Sequence, residues 1–187
     1  MREDTRRRLV DAGSRALASR GLDGVKMAAV ARDAGVADGT FYLHFPDREA
    51  LVAAVVTKAV AELAELLREI RTRPLEVADA DRLAVEAIVA WAEDHRDLFI
   101  GAIRAAWSWA GADAVNALLA QREAELRSFQ RAGEVRPALD VRVVARAEFA
   151  IFSHTLSWWL VEDTRVSRER LVDTLVGMLR HGMASAS

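Results

Sequence analysis

Apolar residues recur every three or four positions along most of the chain, which is the spacing of one face of an α-helix. The first stripe contains Leu9, Ala12, Ala16 and Leu17, and Gly21 follows it as a helix stop. Other glycines, prolines and short polar stretches interrupt the later stripes in the same way. The pattern predicts about nine helices, over roughly 4–20, 27–34, 38–45, 47–72, 79–94, 97–110, 112–132, 140–161 and 167–183.

The composition also favours an all-α protein. Alanine, leucine, arginine and glutamate are good helix formers, and they dominate a chain of 187 residues that is 52% hydrophobic with only three prolines. The absence of cysteine excludes disulfides, thiolate metal sites and cysteine nucleophiles.

No stretch approaches the ~20 apolar residues that cross a bilayer. We therefore expect a soluble, cytoplasmic protein that does not associate with membranes.

The segment from 27 to 45 has the pattern that a helix-turn-helix requires. Two short helices cross closely around a tight turn, so a small residue is needed at the crossing and glycine is favoured where φ is positive. Ala31 is the small residue, Gly35 makes the turn, and Val36 follows it into the core. Phe41 and Phe45, four residues apart, bury one face of the second helix. The agreement of all these positions predicts a DNA-binding helix pair.

The stretch VARDAGVADGTFYLHFPDREAL, from Val30 to Leu51, resembles the TetR family of bacterial regulators. The positions that carry the resemblance are Gly35-Val36, Gly39-Thr40, Tyr42 and His44-Phe45. The resemblance is sharp over about residues 5–56. It implies a three-helix helix-turn-helix DNA-binding domain over 2–62 and a helical-bundle domain for ligand binding and dimerisation over 63–187. It also implies that the helix opening at Asp38 enters the major groove.

The inward placement of Phe41 and Phe45 decides which side chains can reach DNA. Gly39 and Leu43 then lie on the opposite face. The hydroxyl groups of Thr40 and Tyr42 and the imidazole of His44 lie on its flanks. Such groups donate to phosphates or reach base edges, whereas a leucine reads only apolar features such as a thymine methyl. The predicted DNA-binding residues are Lys26, Ala28, Gly39, Thr40, Tyr42, Leu43, His44 and Arg48.

Three positions depart from the usual pattern of the family. Ala37 replaces a common serine and removes a helix cap, which Asp38 is then expected to supply. Asp38 itself stands where lysine is frequent, so no phosphate contact is expected there. Lys26 stands where threonine is frequent. The lysine cannot cap the helix as threonine does, but it adds a positive charge that can reach a phosphate. We expect the run Arg6–Arg8 to form a solvated helix face.

Net charge does not by itself indicate a nucleic-acid partner. The whole chain carries −2, and residues 1–50 hold nine basic and eight acidic side chains. A non-specific architectural DNA-binding protein depends mainly on cationic charge. The near-neutral N-terminal segment therefore argues against that function, and the prediction of DNA binding rests on the motif.

All five tryptophans lie C-terminal to residue 90, with polar groups among them. An apolar pocket with a few placed polar groups is typical of a ligand site, and the resemblance implies such a pocket in this domain. Ordinary core packing is the alternative, and His154 is expected to be a core histidine. The predicted ligand-binding residues are Trp91, His95, Arg104, Trp107, Phe149 and Phe152.

The last two predicted helices are expected to form a homodimer. The final helix has an apolar stripe, and the helix before it is apolar around much of its circumference. Large exposed apolar patches are rare on monomers, and a two-fold pairing of this hairpin is the arrangement that the resemblance implies. The predicted dimer residues are Ile151, Trp158, Leu171, Leu175 and Leu179. The alternative is that both helices complete a monomeric core.

Together these features predict a sequence-specific transcriptional regulator. We expect a repressor released from a palindromic double-stranded DNA operator by a small apolar or aromatic ligand, with the long helix from Asp47 as the lever. No cofactor or metal is expected, because the four histidines lack metal-ligand spacing. No nucleophile elbow or phosphate-binding glycine loop is present, so we do not expect an enzyme. The alternatives are a small all-helical enzyme and a ligand-independent DNA-binding protein.

Overall fold

The computed structural model describes residues 2–162 and 165–183, and within these ranges it contains helices and no strand. The prediction of an all-α fold is confirmed. A 3₁₀ turn at Leu22–Gly24 follows the first helix and is absent from the sequence prediction. The helices are α1 Arg2–Arg20, α2 Met27–Asp33, α3 Asp38–Tyr42, α4 Arg48–Arg71, α5 Val77–Asp94, α6 Arg96–Ala106, α7 Trp109–Ala132, α8 Val141–Val161 and α9 Arg168–Met183. No helix in the described ranges is long and apolar enough to span a bilayer.

The break between α6 and α7 differs from the one predicted at Gly111. It falls at Trp107 and Ser108, and Gly111 lies inside the first turn of α7. The Ser108 hydroxyl donates to the Ala105 carbonyl oxygen at 2.7 Å and accepts from the Gly111 amide at 3.3 Å, so a side chain supports the break. A Cβ on Gly111 would lie 2.5 Å from the Ala105 carbonyl oxygen. Gly111 is therefore needed for close packing rather than for ending a helix.

The first compact unit contains the chain up to Glu62 together with His95–Val115. Here α1 packs along α6 and also contacts α2, and α2 packs on α3. Gly13 permits a close approach of α1 and α4, because its added Cβ would lie 3.0 Å from a Leu51 methyl carbon. Leu9, Leu17 and Leu51 are fully buried. Helix α6, which belongs to the domain predicted to bind ligand, thus shares a core with the predicted DNA-binding helices.

The second compact unit contains Leu63–Asp94 and the described residues from Asn116 onward. Its central contact is between α5 and α9, and α5 also touches α8. The Trp159 indole N–H donates to the Val166 carbonyl oxygen at 2.8 Å and ties the last turn of α8 to the segment that precedes α9. Both α4 and α7 contribute residues to the two units.

The structure corrects two of the predicted dimer residues. Leu171 and Leu175 are only 3% and 1% exposed in the single chain. They lie on α9, which packs on α5 in the same protomer. Their side chains are therefore buried in the core of the protomer, where a second chain cannot contact them. Ile151, Trp158 and Leu179 are half-buried, so part of each side chain remains accessible.

Candidate DNA-binding site

The turn between α2 and α3 has the backbone geometry predicted for it. Gly35 has φ of +67°, a conformation that side-chain-bearing L-residues rarely adopt. The Val36 amide donates to the Ala31 carbonyl oxygen at 3.0 Å, and the Ala34 amide donates to the Val30 carbonyl oxygen at 2.9 Å. Ala31 is completely buried at the crossing. The predicted roles of Gly35 and Ala31 are confirmed.

Two buried phenylalanines hold α3, the helix predicted to enter the major groove and called the reading helix below. Phe41 lies in α3, and Phe45 lies just after its end. Phe41 and Phe45 are 0% and 2% exposed, with ring centroids 5.8 Å apart. Although α3 ends at Tyr42, the amides of His44 and Phe45 both donate to the Phe41 carbonyl oxygen at 2.9 Å. The chain therefore keeps a compact turn as far as Phe45, which places the residues between the two phenylalanines on the outside.

The predicted DNA-contacting residues of this segment are accessible to different degrees. Leu43 is 71% exposed and Tyr42 is 54% exposed. Gly39 is exposed, and an added Cβ there would meet no atom within 4 Å. Thr40 and His44 are half-buried on the flanks. The face opposite the phenylalanines is therefore an open surface with two hydroxyls and one imidazole at its borders.

Helix capping at this site agrees only in part with the expectation from the sequence, because no side-chain hydrogen bond from Asp38 replaces the cap that Ala37 lacks. Ala37 supplies no side-chain cap to α3, and only its carbonyl oxygen accepts from Thr40, at 2.8 Å. Lys26 occupies the N-cap position of α2, also without a side-chain cap, and its side chain is exposed. The Asp47 carboxylate accepts from the Ala50 amide at 2.7 Å and caps α4 as predicted.

Ala28 and Arg48, the remaining predicted DNA-binding residues, differ in their surroundings. Ala28 is exposed on α2. The Arg48 guanidinium forms an ion pair with Glu49, with Nη2 and Oε1 3.0 Å apart, and its Nη1 donates to the Leu22 carbonyl oxygen at 3.5 Å. Arg48 must therefore give up or share these partners to contact a phosphate.

Two arginines of α1 have roles that were not predicted from the sequence. Arg8 Nη1 donates to the Ala34 carbonyl oxygen at 3.1 Å, at the C-terminal end of α2, where a cation is favoured. Arg6 places its guanidinium 5.0 Å from the centre of the Phe45 ring. These side chains brace the helix-turn-helix and do not form a simple solvated face. The contact between Arg8 and Ala34 spans 26 positions, so no local pattern could reveal it.

The six predicted ligand-binding residues are divided between the two compact units. Trp91 is buried on α5, and Phe149 and Phe152 are half-buried on α8, all in the second unit. His95, Arg104 and Trp107 belong to the first unit. Arg104 Nη1 lies 3.4 Å from the Leu17 carbonyl oxygen of α1, and Trp107 is 74% exposed. These last two environments favour a structural role for Arg104 and a surface position for Trp107.

The second unit contains a charged pair, Arg122 and Glu148. Glu148, 8% exposed, accepts two hydrogen bonds from the Arg122 guanidinium, at 2.7 and 2.8 Å. Glu125 joins Arg122 at 3.3 Å and also pairs with Arg71 at 2.7 Å. A buried carboxylate without such partners is costly. The network supplies polar groups among the apolar side chains of this unit.

No group of three or more acidic or histidine side chains in the described ranges is arranged to hold a metal ion. The exposed face of α3, held by a glycine turn and two buried phenylalanines, instead defines a helix-turn-helix DNA-binding protein. Residues 9–55 match the family described as bacterial regulatory proteins, tetR family. This match covers the helix-turn-helix domain, which is therefore of the TetR type, and the chain is a DNA-binding transcriptional regulator.

Known relatives resemble the chain along its whole length. It is 22% identical to the fatty acid metabolism regulator protein of Bacillus subtilis, over 94% of this chain and 93% of that protein. The solved structure of the fatty acid degradation regulator FadR from Bacillus halodurans matches with a TM-score of 0.83, at 18% identity over 95% of both chains. FadR from Bacillus subtilis in complex with stearoyl-CoA matches with a TM-score of 0.81, at 20% identity over 94% of this chain and 98% of that one. At these identities the two structures establish a common fold.

Proposed function

We propose that the protein is a homodimeric repressor that binds a palindromic operator and is released from it by an apolar small molecule. The observation that carries the proposal is the exposed face of α3, where Tyr42 and Leu43 project from a segment fixed by buried phenylalanines. In this proposal residues 2–62 read DNA and residues 63–187 bind the ligand and the second subunit. A two-fold dimer presents two equivalent reading helices, so its operator should be a palindrome.

The second subunit is proposed to pack on the outer face of α8. Val143, Ala147, Ala150, His154 and Val161 are exposed at helical spacing, and Val143 and Val161 are 65% and 48% exposed. His154 is therefore not the core histidine expected from the sequence. We call these five residues the α8 stripe. A continuous stripe of this kind needs a partner on a soluble protein, and an isologous contact places it against its own copy. This proposal replaces Leu171 and Leu175, which are buried within the protomer.

The ligand is proposed to be a long-chain acyl-CoA or a molecule of similar apolar character. The apolar residues of the second unit and the charged group around Arg122 support an amphipathic ligand. Support also comes from the full-length similarity to the fatty acid metabolism regulator and to FadR bound to stearoyl-CoA. We treat stearoyl-CoA as the first probe rather than as the established effector.

The contact between α6 and α1 is the proposed route by which ligand and DNA binding are coupled. Helix α6 follows α5 directly in the chain and lies against α1 at Gly101, whose added Cβ would be 2.7 Å from the Ser14 carbonyl oxygen. Because the contact is so close, a shift of α6 must move α1 or lose packing. A ligand shifts this equilibrium only by its different affinity for the two states.

The experiment for DNA binding begins with selection of an operator from a randomised duplex library by the wild-type protein. Replacing both Tyr42 and His44 by alanine should then weaken binding strongly, since each good contact is worth about 1–3 kcal/mol. Leu75→Ala, at a 41% exposed residue outside the site, is the control. Wild-type affinity in the double variant would place the reading surface elsewhere.

The experiment for the ligand titrates stearoyl-CoA into the complex with labelled operator and follows tryptophan fluorescence in parallel. We expect fluorescence quenching and release of DNA, with free coenzyme A as the matched control. Binding without release would contradict the regulatory role. Absence of binding across a panel of acyl-CoAs and apolar metabolites, with operator binding intact, would favour a ligand-independent DNA-binding protein. Turnover without operator binding would favour an enzyme.

A further inference from the structure

A basic surface lies between α1 and α2, and it shares only Lys26 with the residues predicted to bind DNA. It surrounds a cavity of about 100 Å³ whose charged lining is Arg15, Arg20, Lys26, Arg32 and Asp33. We call this surface the basic groove. Ser19 adds a hydroxyl on the α1 side. Four cations thus face one carboxylate in a segment whose overall charge is close to neutral.

The cations of the basic groove are not committed to other partners. All four side chains are exposed. Among the described residues, none of the four forms an ion pair within 4.0 Å. Other cations of the same unit do, including Arg7 and Arg8 with Asp4, and Lys58 with Asp11. The groove therefore concentrates positive charge that the protein itself does not neutralise.

The floor of the groove is fixed by the backbone. Gly24, in the 3₁₀ turn, also lines it, and an added Cβ there would lie 2.1 Å from the Cβ of Arg20. The turn therefore packs directly against the base of the Arg20 side chain. The Arg20 residue as a whole remains exposed.

The size of the groove decides between two kinds of anionic partner. Pockets for drug-sized ligands and cofactors measure about 300–1,000 Å³, so a cavity of about 100 Å³ is too small to enclose a nucleotide. It has room for one phosphate group with a few waters, given about 30 Å³ per water. A single phosphate of a long polyanion satisfies both the charge and the volume.

The groove is continuous with the predicted DNA surface. Lys26 belongs to both, and Arg32 lies one helical turn after Ala28 on the same face of α2. We propose that the basic groove binds a backbone phosphate of the DNA flanking each half-site, with Arg15 and Arg32 as the principal contacts. The inference rests on the proposed DNA binding and extends the interface from α2 and α3 to the C-terminal half of α1.

The test compares Arg15→Gln/Arg32→Gln with the wild-type protein on the selected operator, in a long form with flanking base pairs and in a trimmed form without them. Arg127→Gln/Arg131→Gln, which removes the same charge from exposed positions of α7, is the control. Fluorescence anisotropy over a series of salt concentrations gives the affinity and its salt slope. Circular dichroism melting confirms that all variants are folded.

We expect the groove variant to lose affinity about tenfold or more on the long operator and to lower the salt slope by roughly two, one phosphate per half-site. On the trimmed operator it should match the wild-type protein. Equal affinity and slope on the long operator, with wild-type binding intact, would overturn the inference alone. An equal effect of the control variant would also overturn it, because net charge would then explain the loss. Failure of the wild-type protein to select any operator would instead refute the proposed DNA binding.

Discussion

Arg8 and Ala34 are joined by a hydrogen bond from Nη1 to the carbonyl oxygen, 3.1 Å long. This bond ties the middle of α1 to the last residue before the Gly35 turn. The same guanidinium is also held by Asp4, whose carboxylate lies 3.3 Å from Arg8 Nε. The orientation of the reading helix therefore depends on a side chain that lies outside the helix-turn-helix segment.

The first prediction removes this bond. Arg8→Ala should lower the free energy of unfolding by about 1 kcal/mol, the typical value of a net hydrogen bond, because the side chain is partly exposed and screened. Operator affinity should fall as well, since the α2–α3 turn loses its support. Urea unfolding and anisotropy measure the two effects. Arg7→Ala is the control, because Arg7 forms an exposed ion pair with Asp4 and, among the described residues, no hydrogen bond to the α2–α3 turn. Equal effects of the two variants would contradict the bracing role.

The second prediction separates stability from DNA binding at Gly39. An alanine there meets no atom within 4 Å, and alanine is favoured over glycine in a helix by up to about 1 kcal/mol. Gly39→Ala should therefore raise the melting temperature while weakening operator binding, because the new methyl group stands on the DNA-facing surface. Gly35→Ala, at φ +67°, should instead lower stability by roughly 1–2 kcal/mol. Unchanged operator affinity in Gly39→Ala would remove Gly39 from the interface.

The third prediction concerns the contact of α6 with α1. Gly101→Ala places a Cβ 2.7 Å from the Ser14 carbonyl oxygen and 3.2 Å from the Leu17 Cβ, so one helix must move. Overpacking of this kind costs about 1–3 kcal/mol. We expect a lower melting temperature together with a changed concentration of stearoyl-CoA needed for DNA release. A destabilised variant whose release curve coincides with that of the wild-type protein would place the coupling elsewhere.

The fourth prediction distinguishes the proposed dimer surface from the internal core. Ala147→Glu with Ala150→Glu adds two charges to the α8 stripe, so sedimentation should show folded monomers. Operator affinity should fall sharply, because the two half-sites are no longer engaged together. Leu175→Glu should behave differently and destabilise the protomer by several kcal/mol, because it buries an unpaired charge at a position that is 1% exposed. A folded dimer in the double α8 variant would contradict the proposed interface.

Local features allowed much of the fold and the reading site to be predicted from the sequence. Gly35 is at the turn because positive φ excludes most other residues there, and Phe41 and Phe45 are inside because their spacing places them on one helix face. Asp47 caps α4 through an amide three residues away. Each of these three features depends only on residues within about one or two helical turns. A local sequence pattern is therefore enough to predict it.

Only the tertiary structure decided how the apolar stripes and distant charges are partnered. Leu171 and Leu175 belong to an apolar stripe that the sequence predicts to be covered. The stripe alone does not specify whether its own protomer or a second chain covers it. The packing of α9 on α5 assigns it to the protomer. The Arg122–Glu148 pair and the Arg8–Ala34 bond each join residues 26 positions apart. Such partners are set by helix packing in three dimensions, because helical periodicity carries information only along one helix.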